Sequence, residues 1–258
     1  MGKSILALCV ACCVLCVLPA RAERTPERVA GDLAALTNRI LRLEHSEDRD
    51  DIFRSFLASG KMTPDELSSA LVLAAESLAD ATDPIDASSR RFAVSELGLF
   101  GTTNALPFLE RTMREGDAFW SVAAMWAAVN LSHREPAALG CISGVLRDGR
   151  PGDSGFRRDV YSRVAVSLDY EKPDETRRTE LCGFLLGATA FETIAAGQLD
   201  ELLCRVEPEF KDSPERLRMA ARLAEAELAN GTTNGAFRAL EASLRAKRGD
   251  KTTGGEPE

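Results

Sequence analysis

Arg91-Phe92-Ala93-Val94-Ser95-Glu96-Leu97-Gly98-Leu99-Phe100-Gly101, and then Ala105-Leu106-Pro107-Phe108-Leu109 after a Thr-Thr-Asn turn, decide the fold. An apolar stripe stops at a glycine, a short polar turn follows, and a new apolar segment opens on Leu-Pro. That is helix, turn, helix. The same grammar extends along the chain in both directions. Val29, Leu33, Leu36, Ile40 and Leu43 step by four and three along one helical face, and no segment sustains the alternation of a half-buried strand. Thr25-Pro26-Glu27, Thr63-Pro64-Asp65-Glu66 and Ser213-Pro214-Glu215 each set an N-cap hydroxyl before a proline at the first helical position, and Glu66 completes a capping box. Gly60, Gly101, Gly149, Gly187 and Gly231 are the matching stops. Caps read against stops predict an all-α chain of about twelve helices joined by short turns.

The turn Gly101-Thr102-Thr103-Asn104-Ala105 is echoed by Gly231-Thr232-Thr233-Asn234-Gly235-Ala236. Their separation of 130 residues divides into three steps of about 43, within the roughly 40–47 residue period of two-helix solenoid repeats. Residues 90–114, with Leu-Gly-x-Phe-Gly closing one helix and Ala-Leu-Pro-x-Leu opening the next, resemble a HEAT-type repeat. The segments from Asp117 to Leu146 and from Phe156 to Leu186 keep the two-helix rhythm without that punctuation, and 213–246 is similar to HEAT and tetratricopeptide pairs alike. The resemblance implies a right-handed α-α superhelix whose stacked pairs form a concave protein-binding surface. Some HEAT-like proteins are lyases, but no residue here matches their chemistry.

Compartment follows from the first 22 residues. Lys3, the apolar run Ile5 to Leu18 and the small residues Ala20 and Ala22 flanking Arg21 form an export signal with cleavage after Ala22. The apolar run is too short for a bilayer-spanning helix of roughly 20 residues. Lipid attachment at Cys12 is the alternative, but it would shorten the run further and leave the Ala22 site unused. The mature chain carries 30 basic and 40 acidic side chains, a net charge of −10, which disfavours nucleic acid. Four of seven cysteines leave with the signal, so Cys141, Cys182 and Cys204 do not make a disulfide scaffold. If the helices around Gly187-Ala188 form an unbroken hairpin, Cys182 and Cys204 are offset by about 15 Å and cannot bond. Residues 23–247 then form the helical repeat domain, and 248–258, without large apolar residues, a disordered tail. Arginine outnumbers lysine 26 to 6, the mark of a GC-rich bacterial genome, which makes the sequons at Asn130 and Asn230 accidental and the destination the periplasm or the medium.

Chemistry-bearing motifs are sparse. Gly152-Asp153-Ser154-Gly155 matches the nucleophile of trypsin-like proteases, yet Phe156 stands where the motif continues with glycine, and the turn-rich context suits a helix cap. His45 and His133, 88 residues apart, make no metal motif. Glu47, Asp48, Asp50 and Asp51 lack the glycine and ligand spacing of a calcium loop. The helix Ala118 to Leu131 is apolar all round after Asp117, which predicts a central position covered on most sides. Arg90-Arg91, Arg157-Arg158 and Arg177-Arg178 stand out in an acidic chain. They read either as one groove that forks onto carboxylates of a partner, or as solvated faces paired with Asp86, Asp159 and Asp174 or Glu175. The sequence therefore predicts an exported, non-catalytic scaffold that binds another protein, with no cofactor, metal or catalytic residue assigned. An all-α lyase-like enzyme and a lipid-anchored envelope component are the alternatives.

Overall fold

Thr63 and Glu66 close a reciprocal pair of bonds ahead of the helix that they start. The Glu66 amide donates to the Thr63 hydroxyl at 3.2 Å and the Thr63 amide to the Glu66 carboxylate at 2.8 Å, which satisfies two donors that a helix N-terminus leaves orphaned. Asp83, Asp117 and Asp174 accept in the same manner from the amides of Ile85, Trp120 and Arg177 at 2.8–2.9 Å, and Ser213 accepts from Arg216 at 3.1 Å.

The computed structural model describes residues 35, 37–38, 49–60, 62–80, 83–148, 154–170, 172–229, 235–247 and 249. Among them are eleven α-helices and no strand. They are α1 (Arg49–Ala58), α2 (Pro64–Ser77), α3 (Pro84–Phe100), α4 (Leu106–Glu115), α5 (Ala118–Leu131), α6 (Ala137–Asp148), α7 (Ser154–Tyr170), α8 (Glu175–Ala188), α9 (Ala196–Val206), α10 (Pro214–Ala229) and α11 (Ala236–Lys247). The export signal, the stripe from Val29 to Leu43, the acidic residues Glu47 and Asp48, Gly152, Asp153 and the second Thr-Thr-Asn turn lie outside the described residues, as do 250–258. Ser154 is the first residue of α7.

Helices next in sequence pair as α2 with α3, α4 with α5, α8 with α9 and α10 with α11. Alternate helices also pack in series, α3 on α5 on α7 on α9 and α4 on α6 on α8. Two side-by-side ranks result. Between them lie Leu97, Leu109, Met113, Met125, Ile142, Leu146 and Tyr161, all fully buried. Burial of one such aliphatic side chain is worth about 1.5–3 kcal/mol. The Leu-Gly-x-Phe-Gly signal has a direct steric basis. A Cβ on Gly98 would sit 3.0 Å from the Asn130 Cβ and 3.2 Å from the Ala127 backbone, so Gly98 lets α3 and α5 approach closely. A Cβ on Gly101 would lie 2.3 Å from the Leu97 carbonyl oxygen.

Arginines tie helix ends across the stack. Arg90 of α3 donates to the Ala79 carbonyl just beyond α2 at 3.1 Å, and Arg157 of α7 donates to Leu146 in the last turn of α6; each reaches back 11 residues. Arg134 binds the carbonyls of Gly98, Leu99 and Gly101 at the end of α3. Arg177 of α8 holds Ser132, the C-cap of α5, through its carbonyl at 2.6 Å and its hydroxyl at 2.7 Å. Arg222 of α10 holds the Thr189 carbonyl, beyond α8, at 2.7 Å. In each case a cation meets the negative end of a helix, where orphan carbonyls need donors.

Two local expectations change. Gly187 is not a stop, because α8 continues to Ala188 and is capped by Thr189. The helix after it begins only at Ala196, beyond a seven-residue turn, so the offset argued for Cys182 and Cys204 does not apply; both are half-buried free thiols, as is Cys141. No helix among the described residues is long and apolar enough to cross a membrane.

Candidate functional site: an aromatic and arginine groove

The central position expected for α5 is observed, since it packs against α3, α4, α6 and α7. It is covered on most sides, as expected, and open on one. Phe119 and Trp126 are 51% and 47% exposed, because α3 and α7 flank α5 without closing over it. The open stripe runs along one side of α5 through Phe119, Val122, Ala123, Trp126 and Asn130, spaced one helical turn apart. It floors a cavity of about 650 Å³ walled by Arg91 and Ser95 of α3 and Arg163 of α7.

A second cavity of about 670 Å³ shares Asn130 and Arg163 with the first and continues between α3 and α7. Leu99, Val166 and Tyr170 give it an apolar wall, 42%, 38% and 85% exposed respectively. Arg54, Arg134 and His133 supply its polar groups. A smaller cavity of about 220 Å³ shares His133 and Ser167 with the second and adds Lys172 and Arg177 beside Asp174. The three make one continuous groove along the α5–α7 seam.

The arginines are held by the aromatics that they border. The Arg163 guanidinium lies 4.9 Å from the Trp126 ring centre, and Arg91 lies 5.6 Å from that of Phe119. Such contacts are worth about 0.5–1 kcal/mol when exposed and more when desolvated. Arg163 also donates to the Asn130 amide oxygen at 2.8 Å, while its Nε is buried without a partner. Among the described residues the two larger cavities carry no aspartate or glutamate in their linings. A chain with an excess of acid thus presents two larger cavities of one sign, the positive, while Asp174 stands beside Lys172 and Arg177 in the smallest. Burial lowers the pKa of Arg134, the largest influence on it, but leaves the guanidinium charged.

The six arginines singled out in the sequence separate into two kinds. Arg90, Arg157 and Arg177 are the helix-end ties described above, and Arg90 also stacks 4.2 Å from the Trp120 ring centre. Of the others, Arg91 lines the groove, whereas Arg158 and Arg178 are exposed on α7 and α8 and line none of the three cavities. The pairing of Arg157 with Asp159 is replaced by one with Glu192, since residues two apart on a helix point away from each other. Arg54, Arg134 and Arg163, single arginines with no local signature, were not foreseen.

The most polar interior point lies elsewhere. Glu192, with no exposed surface, accepts from Arg157 at 2.9 Å, from the Tyr161 hydroxyl at 3.2 Å, and from the amides of Ile194 and Ala195 at 2.9 and 3.0 Å. Burial pushes its carboxyl up, but the Ala195 amide and Arg157 outweigh that and hold it below its ordinary value. Tyr161 moves up, chiefly by burial. Every oxygen is satisfied and none of the three cavities reaches this centre, which joins the end of α6, α7 and the turn before α9. Burial likewise pushes up the thiols of Cys141, Cys182 and Cys204, away from a reactive thiolate. Among the described residues no group of three or more His, Cys, Asp or Glu comes together as a metal site. Compared with known proteins, the chain matches no family model, no curated protein and no solved structure.

Proposed function

We propose that this chain is an exported, non-catalytic scaffold that docks a protein partner in the groove over α5. Its helix pairs are read as a right-handed α-α superhelix of HEAT-like or tetratricopeptide-like units, a reading supported by the two ranks and by Gly101 as the helix stop that the resemblance implies. The observation that carries the function is the groove itself. Half-exposed Trp126 and Phe119 form one apolar patch and Leu99, Val166 and Tyr170 a second, and the two meet at Asn130 and Arg163. Clustered exposed apolar surface rimmed by polar groups marks interaction sites, where tryptophan, tyrosine and arginine supply most of the binding energy. Paired acid and base groups, which an enzyme would need, are missing from the linings of the two larger cavities among the described residues.

The test is capture from the native cell envelope with the mature chain and with a Phe119→Ala, Trp126→Ala variant as bait. A partner retained by the first and lost by the second supports docking in the groove. Identical partner sets overturn it. Edman sequencing of the protein recovered from the envelope tests the export reading, with Glu23 as the expected first residue.

A further inference from the structure

We infer that the occupant of this groove is an acidic amphipathic helix of about three to four turns, presented by the partner protein. The inference rests on the docking reading above and adds the chemistry and shape of what docks. Length comes first. From Ala118 to Asn130 the floor follows α5 for about 18 Å at 1.5 Å per residue, the length of a helix of about 12 residues.

Backbone chemistry selects helix over strand. The described residues contain no strand, so an extended segment would find no sheet edge, and its amides and carbonyls would be desolvated against Trp126 and Phe119 without a ladder. A helix brings its backbone bonds with it. Its apolar side chains, spaced three and four apart, match the floor, which is itself a helical stripe.

Charge selects the partner's polar face. Arg54, Arg91, Arg134 and Arg163 border the two larger cavities, and no carboxylate lines them among the described residues. A neutral or basic segment would cover these guanidinium groups without counter-charge, a costly arrangement. A row of glutamates beside the leucine face would meet them. Arg163 is the central contact, because it borders both cavities and is oriented by Trp126 and Asn130. A carboxylate arriving from the solvent side can bond the terminal nitrogens of that guanidinium.

The probe is a labelled, end-blocked peptide of leucine, alanine and glutamate with leucines at helical spacing. Its twin carries lysine for every glutamate. Anisotropy titration of the mature chain should show saturable binding of the acidic peptide only, weakened about tenfold or more between roughly 50 and 500 mM salt. Arg163→Glu should weaken it by at least about tenfold, Trp126→Ala should abolish it and Trp126→Phe should largely restore it, with unchanged circular dichroism melting in all three. Equal binding of the two peptides overturns the acidic assignment and leaves the docking groove standing. No binding of the acidic peptide, while the groove variants still lose their native partner, overturns the acidic helix alone. Acidic-peptide binding indifferent to Arg163 and Trp126, with native capture equally indifferent, removes both readings. Concentration-dependent dimerisation of the chain that Arg163→Glu abolishes would assign the groove to a second copy instead.

Discussion

Glu192 shows how much one buried carboxylate holds in place. Truncation to alanine strands the Arg157 charge inside the stack and should cost about 3–5 kcal/mol, whereas Tyr161→Phe, which removes one neutral donor, should cost about 1 kcal/mol. In a chain of this size each kcal/mol moves the melting temperature by about 2–4 °C, so calorimetry resolves the two. A carboxyl held below its ordinary value of 4.5 in the folded state gives a stabilisation that is complete above that value and is lost as pH falls through the folded pKa. Glu192→Gln should therefore flatten the acid limb of a stability-against-pH curve; an unchanged acid limb would show that the centre is not linked to proton uptake. None of this was legible in the sequence, because Arg157 and Glu192 are 35 residues apart and nothing local marks them as partners. Gly98 was legible in part. Its motif Leu-Gly-x-Phe-Gly was legible as a helix ending, the close crossing with α5 only in the structure, and Gly98→Ala should cost about 1–3 kcal/mol, because the Ala127 backbone cannot give way.

Helices were legible where their signals are local. Thr63, Ser213 and the two proline starts that follow them act within one turn, and the structure places α2 and α10 where they point. Thr63→Ala should cost about 1 kcal/mol, measured by urea unfolding at constant m value. C-terminal ends are a different matter. Five of them are held by arginines from elsewhere in the chain, four on other helices and Arg134 in the turn after α5, and Arg177→Ala, which removes two charged donors from Ser132, should cost about 1.5–3 kcal/mol. A loss no larger than that of an ordinary surface arginine would show that water replaces the tie. The helix α5 was singled out from its composition as central and covered on most sides, but its composition does not mark which side stays open. Apolar content along a helix shows which faces avoid water, and it does not show whether the neighbouring helices meet over the last of them.

At the scale of the molecule, the superhelix reading makes a dimensional prediction. A compact protein of this length has a radius of gyration of about 17–18 Å; small-angle scattering of the mature chain should give a clearly larger value, and a value at the compact limit would speak against an open stack. The proposed docking groove also belongs to this scale, since its two larger cavities take their floor from α5 and their walls from α1, α3 and α7, and their four arginines are spread over 110 residues from Arg54 to Arg163. The sequence by itself determined the helical class, the starts of α2 and α10, the stop at Gly101 and the central place of α5, because those depend on interactions within a turn or on the apolar character of a single helix. Only the tertiary structure decided which arginines became internal ties and which face the groove, and that one side of α5 stays open. Those outcomes depend on the relative placement of helices, and an arginine side chain reads the same in sequence whether it ends on a carbonyl or beside a tryptophan.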